Sequence, residues 1–557
     1  MLARAVPPRL LFRRQLKNTD GNYFLHLEFD DIEASKINVF VPRSLASNTP
    51  KLYDLLLDRG AALPVERHAA LQLIKRAIDI GPSQQQVLTM VQSSGWWPER
   101  SPTAFVLPWK IVAQGSPAAL HPDHYAVEAS KWQKGKLDQW KTGLEAPCRK
   151  SKFLTFALAA ALTGPLLRFF DTQNGLVFNF TGPSGAGKST LLLAAQSVLR
   201  RAGAGDLKST DATLAGLEET FVRNNELVLC LDDFGASQAS SNRPDSVINA
   251  LAFSGREGRG KTRATLGQSM LGYPQSTWRL TVLTSSEKSL TEYGGPNRLP
   301  GAQVRYIDIS VPGPHAGGIN THAGAGRTKL LDEVVLPTID ILKESYGVAL
   351  PRLVRAILRS DGARERSRKY AQFFGNRFSI AHPGTPQNRD VEAFSKVYAA
   401  GRIAIDAGVF PTDKDNLLAS LLFVYEHSEL AAQASSRIFA APVSKLLEIS
   451  NDPLRCYKLA RKGDKVQNEN GTYIAVTRIQ KGLTIFFVLP DEFEKIAPKP
   501  TLNAFLEYLV DAGALIRRKM AATSQLAVSG LEPGKTRPSG YKLDLQKLQS
   551  LAPGLLT

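Results

Sequence analysis

Residues Gly182-Pro183-Ser184-Gly185-Ala186-Gly187-Lys188-Ser189 have the types and spacing to hold a chain of phosphates. The pattern is G-x-x-x-x-G-K-[ST], with an apolar, strand-favouring run at 176–180 before it and a Leu- and Ala-rich, helix-favouring run from Thr190 after it. Each residue type has a reason. Glycines let backbone N–H groups converge on phosphate oxygens, and the start of a helix adds partial positive charge. Lys188 reaches the β- and γ-phosphates, and Ser189 offers a hydroxyl to Mg²⁺. Residues Gly182 to Thr190 are therefore expected to bind a nucleotide of the ATP type.

Carboxylates and hydroxyls at suitable spacing follow. A second apolar run, 227–231, ends in Asp232-Asp233 about 40 residues after Lys188. Asp232 suits the Mg²⁺ shell opposite Ser189, and Asp233 suits polarising an attacking water, with a side chain one methylene shorter than Glu. A third run, 280–283, ends in Thr284-Ser285-Ser286. Thr284 or Ser285 is placed to contact the γ-phosphate or the water, the sensor position of ring ATPases; plain strand capping is the alternative. A fourth run, 304–310, carries Arg305, which suits either an arginine finger reaching a neighbouring subunit's site or a local salt bridge. Between the second and third runs, residues 255–265 hold Arg256, Arg259, Lys261 and Arg263 against Glu257 alone. Their glycines suit a hairpin that neutralises DNA phosphates without reading sequence, and a solvated loop is the bland alternative.

These residues need a scaffold. From 176 to about 312 the pattern alternates strand and helix, which implies a parallel sheet with helices on both faces. The expected organisation is a basic N-terminal arm (1–20), an α+β accessory domain (21–114), a linker with a helix around Trp140 (115–150), the phosphate-binding core (151–315), a helical lid (316–440) and a C-terminal domain (441–557). That last domain has a helix near 500–512 and a strand at 541–545, compatible with a winged helix. Its rim charges Arg517, Arg518, Lys519, Lys535 and Arg537 suit a duplex backbone.

A net charge of +18 over 557 residues favours a polyanionic partner, with solvated basic faces as the alternative. Cys148, Cys230 and Cys456 lack C-x-x-C spacing, so they form neither a disulfide framework nor a metal site, and a cytoplasmic setting is expected. The apolar stretch 153–167 is too short for a membrane span and reads as a buried helix.

Several blocks together resemble the DUF927 family, helicase-like ATPases of mobile elements. They are Gly95-Trp96 with Phe105-Val106-Leu107-Pro108, the 156–167 helix, Ser209 to Glu218, Gly260 to Ala264, Trp278-Arg279, Val304 to Ile309 and Ala399 to Ala404. The resemblance spans roughly 22–412. It implies an AAA+-like core related to the MCM-type helicases of staphylococcal cassette elements. The family carries Asp-Glu where this chain has Asp232-Asp233, and no primase module accompanies the core. The resulting expectation is an ATP- and Mg²⁺-dependent DNA helicase or translocase that forms a homo-oligomeric ring, a hexamer. A non-motor ATP switch that binds nucleic acid, such as an initiator or defence regulator, is the alternative, and a P-loop kinase is disfavoured by the basic 255–265 segment.

Overall fold

The apolar run preceding the glycine-rich segment is the strand Leu176–Thr181, and in the computed structural model it lies inside a five-stranded parallel sheet. Residues 9–551 are described, except 20, 92, 100, 116–118, 121–128, 171–174, 204, 210–212, 233–247, 261–276, 294–304, 383–388, 460–464, 467–472, 497–501, 517–522, 526–530 and 532–536. The chain divides into two compact units, Met1–Glu429 and Leu430–Thr557.

The first unit opens with an α+β layer. Strands β1 (Leu10–Asn18), β2 (Tyr23–Asp30), β3 (Lys36–Pro42), β4 (Leu88–Met90) and β8 (Ala119–Leu120) form a sheet in the order β3-β2-β1-β4-β8. Helices α1 (Thr49–Asp58) and α2 (Arg67–Ile80) bury Leu52, Leu56 and Ile74 with Leu25, Leu27 and Phe29 of β2. The expected basic arm is corrected here, because residues 10–18 are strand β1. Leu10, Phe12 and Leu16 are buried, while Arg13 pairs with Glu28 at 2.6 Å, so the cations of this segment do not prevent it from joining a sheet. Strands β5 (Gly95–Trp97), β6 (Ala104–Leu107) and β7 (Lys110–Ala113) form a separate antiparallel sheet.

The helix expected around Trp140 within the linker region is present. Helix α3 (Leu137–Lys150) buries Trp140, whose indole donates to Ser197 Oγ at 3.0 Å. Helix α4 (Lys152–Ala161) is buried along almost its whole length, as expected of the apolar stretch around it. The central sheet has β9 (Leu176–Thr181), β10 (Lys208–Ser209), β11 (Val228–Asp232), β12 (Thr281–Ser286) and β13 (Ile307–Ser310) in the order β10-β11-β12-β9-β13. Every adjacent pair is parallel, as strand–helix alternation requires.

Alternation along the strands divides the side chains between two faces. Phe178 and Phe180 meet Phe156 of α4 with ring centroids 5.1 and 6.2 Å apart. Val177, Leu229, Leu231 and Val282 instead pack with Phe221 of the helix Leu214–Arg223. Helices Arg389–Asp406 and Lys414–Glu426 follow, and Phe394 of the former packs on Phe156 and Phe178. The helical region is thus continuous with the core beside the sheet.

In the second unit, β14 (Cys456–Leu459), β15 (Ala475–Gln480), β16 (Leu483–Val488), β17 (Thr523–Gln525) and β18 (Ser539–Asp544) form a sheet in the order β14-β15-β16-β18-β17. Phe486, Val488 and Leu543 pack with Phe505 and Leu509 of the helix Leu502–Asp511. The helix is followed by an antiparallel β17–β18 pair, which forms one edge of a five-stranded sheet. Arg537 is exposed; Arg517, Arg518, Lys519 and Lys535 lie outside the described residues.

Candidate functional site

The loop after β9 leads directly into helix α5 (Lys188–Ser197), with Gly187 as its N-cap. Two glycines are required by the backbone and by space. Gly182 has φ +149, and a Cβ there would lie 2.3 Å from the Val311 carbonyl oxygen. Gly187 has φ +94, and a Cβ there would come within 2.7 Å of Ile319. The loop therefore passes close to the segment after β13 without side chains in the way.

The Lys188 ammonium donates to the carbonyls of Gly182 and Pro183 at 2.7 and 2.9 Å, so it lies over the loop's own curve. Ser189 Oγ donates to Asp232 Oδ1 at 3.3 Å, and Ser285 Oγ donates to the same oxygen. Lys188, Ser189, Thr190, Asp232 and Ser285 line a cavity of about 400 Å³ at the C-terminal edge of the parallel sheet. Ser184, Gly185 and Gly187 contribute the loop side of the same cavity.

The Ser189 hydroxyl and Asp232 carboxylate form a hard-oxygen pair fit for Mg²⁺, which takes one or two protein oxygens and completes its octahedron with phosphates and water. Among the described residues, no group of three or more His, Cys, Asp and Glu could hold a metal by itself. The three cysteines are buried, and desolvation pushes the Cys148 and Cys230 thiols up to about 12, which leaves them inert at neutral pH.

The two expected sensor hydroxyls part company. Ser285 reaches the cavity; Thr284 is fully buried on the opposite face and donates to Asn179 Oδ1 at 2.7 Å. Asn179 Nδ2 donates to Asp308 Oδ1 at 2.6 Å and to Ser286 Oγ at 2.8 Å. Asp308 Oδ1 also accepts from the Leu290 backbone at 3.2 Å. This buried network links β12, β9 and β13 just beneath the loop. Leaving one of its groups without a partner costs about 1–3 kcal/mol, so Thr284 acts in holding the strand tips in register, a structural correction to its expected sensor place.

Arg305 does not reach its own chain's loop. It precedes β13, at the end of the sheet opposite the cavity, and its guanidinium pairs with Glu257 at 2.8–2.9 Å. The local salt bridge, one of the two uses expected for it, is formed within the single chain.

The basic segment is corrected in one place and retained in another. Arg256 is buried, and its carbonyl accepts from Gly175 N at 2.7 Å, because it closes the turn that follows Ala250–Gly255 against the start of β9. It is not a surface cation for DNA. Arg259 is exposed and bridges Thr277 in antiparallel fashion, while Trp278 N donates to the Gly258 carbonyl at 2.9 Å, so a hairpin stem is present. Lys261 and Arg263, with Asp233, lie outside the described residues.

Sequence spacing missed three contributors. Glu287, one residue beyond β12, lines the cavity, and Leu331 and Val335 form its apolar wall. The polar Asn179 inside the apolar run 176–180 was the available signal for the buried network.

The sequence pattern of the DUF927 family, described as a domain of unknown function, matches residues 8–269. The DUF927 match takes in the N-terminal sheets, the glycine-rich loop and Asp232, and stops before Ser285 and Arg305. No curated protein matches the sequence. Among solved structures, "SCCmec type IV Cch - active helicase" is 15% identical and aligns over 99% of both chains with a TM-score of 0.57, which shows a shared fold. The apo A form of the NrS-1 C-terminal region is 10% identical over 72% of this chain and 87% of its own, with a TM-score of 0.18. NtrX from Brucella abortus in complex with ATP is 12% identical over 67% and 92%, also with a TM-score of 0.18. Among the described residues, no helix is long and apolar enough to cross a membrane.

Proposed function

We propose that the chain is an ATP-driven nucleic-acid motor, a ring-forming DNA helicase or translocase of a mobile element, built on an AAA+-like core. The observation that carries this reading is the convergence of Lys188, Ser189, Asp232 and Ser285 on one cavity beside a strand–loop–helix turn. The sheet order β10-β11-β12-β9-β13 supports the AAA+-like assignment, since it puts the loop strand between β12 and β13 with the carboxylate strand one place further out. The fold shared with the SCCmec helicase supports the motor assignment. The exposed Arg259 on a hairpin stem and the net charge of +18 support a DNA partner.

In this reading, loop N–H groups and the N-terminus of α5 cradle the phosphates. Lys188 leaves the Gly182 and Pro183 carbonyls for the β- and γ-phosphates. Ser189 and Asp232 would hold Mg²⁺, which would supply charge neutralisation on the transferring phosphate when bound. Ser285 fixes the Asp232 carboxylate by hydrogen bonding, and Asp233 orients the attacking water. Arg305 acts in trans after leaving Glu257, on a neighbour's nucleotide in a hexameric ring. The C-terminal unit serves as a winged-helix-like module, with Arg537 on its DNA-facing rim.

A non-motor ATP switch is kept as the second reading by Asp233, where the family carries Glu. Binding of a fluorescent ATP analogue tests the site itself. Wild type should bind with Mg²⁺ dependence and Lys188→Ala should bind far more weakly; equal binding by both would refute the assignment. Asp233→Glu separates the two readings, because a motor limited by its short base should speed up, whereas a slow switch limited elsewhere should not.

A further inference from the structure

The helical region carries a second basic surface, remote in sequence from the 255–265 segment. Residues 349–381 contain eight Lys or Arg and two carboxylates, Asp361 and Glu365. Two helices present these cations. Ala349–Leu358 buries Leu350, Leu353, Val354 and Ile357 and leaves Arg352 and Arg355 exposed. Ala363–Ala381 buries Ser367, Phe374 and Phe378.

One flank of this helix carries Arg366, Lys369, Phe373, Arg377 and Ile380, all exposed and spaced three or four residues apart, so they share one face. Lys369 and Arg377 stand about 12 Å apart along the axis, with Phe373 midway. The Phe373 ring is 40% exposed although it stacks on Tyr398 at 5.8 Å, and the Arg377 guanidinium lies 5.4 Å from its centroid. Among the described residues, no salt bridge engages Arg352, Arg355, Lys369 or Arg377.

A merely solvated face does not need an exposed ring between its cations. We propose that this face binds single-stranded nucleic acid, with Lys369 and Arg377 on phosphates and Phe373 stacking on a base. Cations flanking an aromatic ring are the combination that single strands recruit without sequence preference. An anionic membrane fits less well, because an interfacial helix needs a wide apolar face and this one offers only Phe373 and Ile380. The inference rests on the reading of the chain as a nucleic-acid motor and adds a grip outside the hairpin.

The test is fluorescence anisotropy of labelled oligo(dT) with the full chain across a salt series. Lys369→Ala with Arg377→Ala should weaken binding and flatten the log–log salt slope by about 1.4, two contacts at about 0.7 each. Phe373→Ala should weaken binding roughly 5- to 150-fold with the slope unchanged, and Phe373→Tyr should restore it, which separates stacking from misfolding. Wild-type binding that all three variants retain, at the same slope, would overturn this inference alone. Variants that lose binding to phosphatidylserine vesicles while keeping wild-type oligo(dT) binding would overturn it in favour of a membrane. Failure of wild type to bind oligo(dT) at all would overturn the motor reading as well.

Discussion

Ser189 Oγ and Asp232 Oδ1 stand 3.3 Å apart although 43 positions separate them in sequence. The parallel sheet produces this meeting. The strand before Ser189 and the strand ending in Asp232 are separated by β12 alone, and all three run in the same direction. Their C-terminal ends therefore open onto one cavity, and the donor of β12 that faces it, Ser285, completes the cluster.

The two neighbouring hydroxyls should respond oppositely. Ser285→Ala removes a donor that fixes the Asp232 carboxylate, and turnover should fall roughly 10- to 100-fold with little change in melting temperature. Thr284→Val removes a buried donor to Asn179 and should cost about 1 kcal/mol of stability with turnover largely kept. ATPase kinetics and thermal melts check both, and an activity loss confined to Thr284→Val would reverse the assignment.

Arg305 should be dispensable for binding ATP and needed for turning it over. If it acts in trans, Arg305→Ala should lower turnover by about 10³-fold or more. Mixing it with Lys188→Ala protein should restore part of the activity at interfaces that combine an intact loop with an intact arginine. No restoration, with mixed oligomers shown by mass, would leave Arg305 as the structural partner of Glu257.

The exposed cation Arg259 should couple DNA to hydrolysis. Arg259→Ala should keep basal ATPase, since the side chain is not among those lining the cavity, and should reduce stimulation by single-stranded DNA. Buried Arg256→Ala should instead lower the melting temperature. A normal DNA response in Arg259→Ala would remove the hairpin stem from the DNA path.

Glu226 predicts a pH effect on stability. Burial holds its carboxyl above the usual value of 4.5, although Trp96 N at 2.7 Å and Arg279 at 3.1 Å act in the other direction. A folded-state pKa raised above the unfolded value means that the native state holds the proton more tightly. That contribution is complete below about pH 4.5 and is lost as pH rises through the folded-state value. Glu226→Gln does not titrate, so the melting temperature of wild type minus that of Glu226→Gln should fall as pH rises from about 4 toward neutrality. A difference that stays constant or grows would contradict the burial argument.

The strand–loop–helix unit and the carboxylate strand were legible because glycine, lysine and apolar runs are local signals. The face chosen by each tip residue was not. Alternation says that Thr284 and Ser285 point opposite ways, but only the sheet order says which of them meets Asp232. The burial of Arg256 at the start of β9 and the pairing of Arg305 with Glu257 before β13 join segments 81 and 48 positions apart in sequence, which composition does not encode. The N-terminal segment misled for a related reason. Its cations dominate its composition, yet Leu10 and Phe12 pack on one side of a strand, Leu16 packs on the other side beyond a bulge, and Arg13 finds Glu28 on the next strand.

The most direct test is ATP turnover by the purified full chain, with and without single-stranded DNA, beside Lys188→Ala. The account predicts Mg²⁺-dependent turnover that DNA accelerates and that Lys188→Ala abolishes. Turnover unchanged in Lys188→Ala, or wild-type turnover indifferent to DNA, would contradict it.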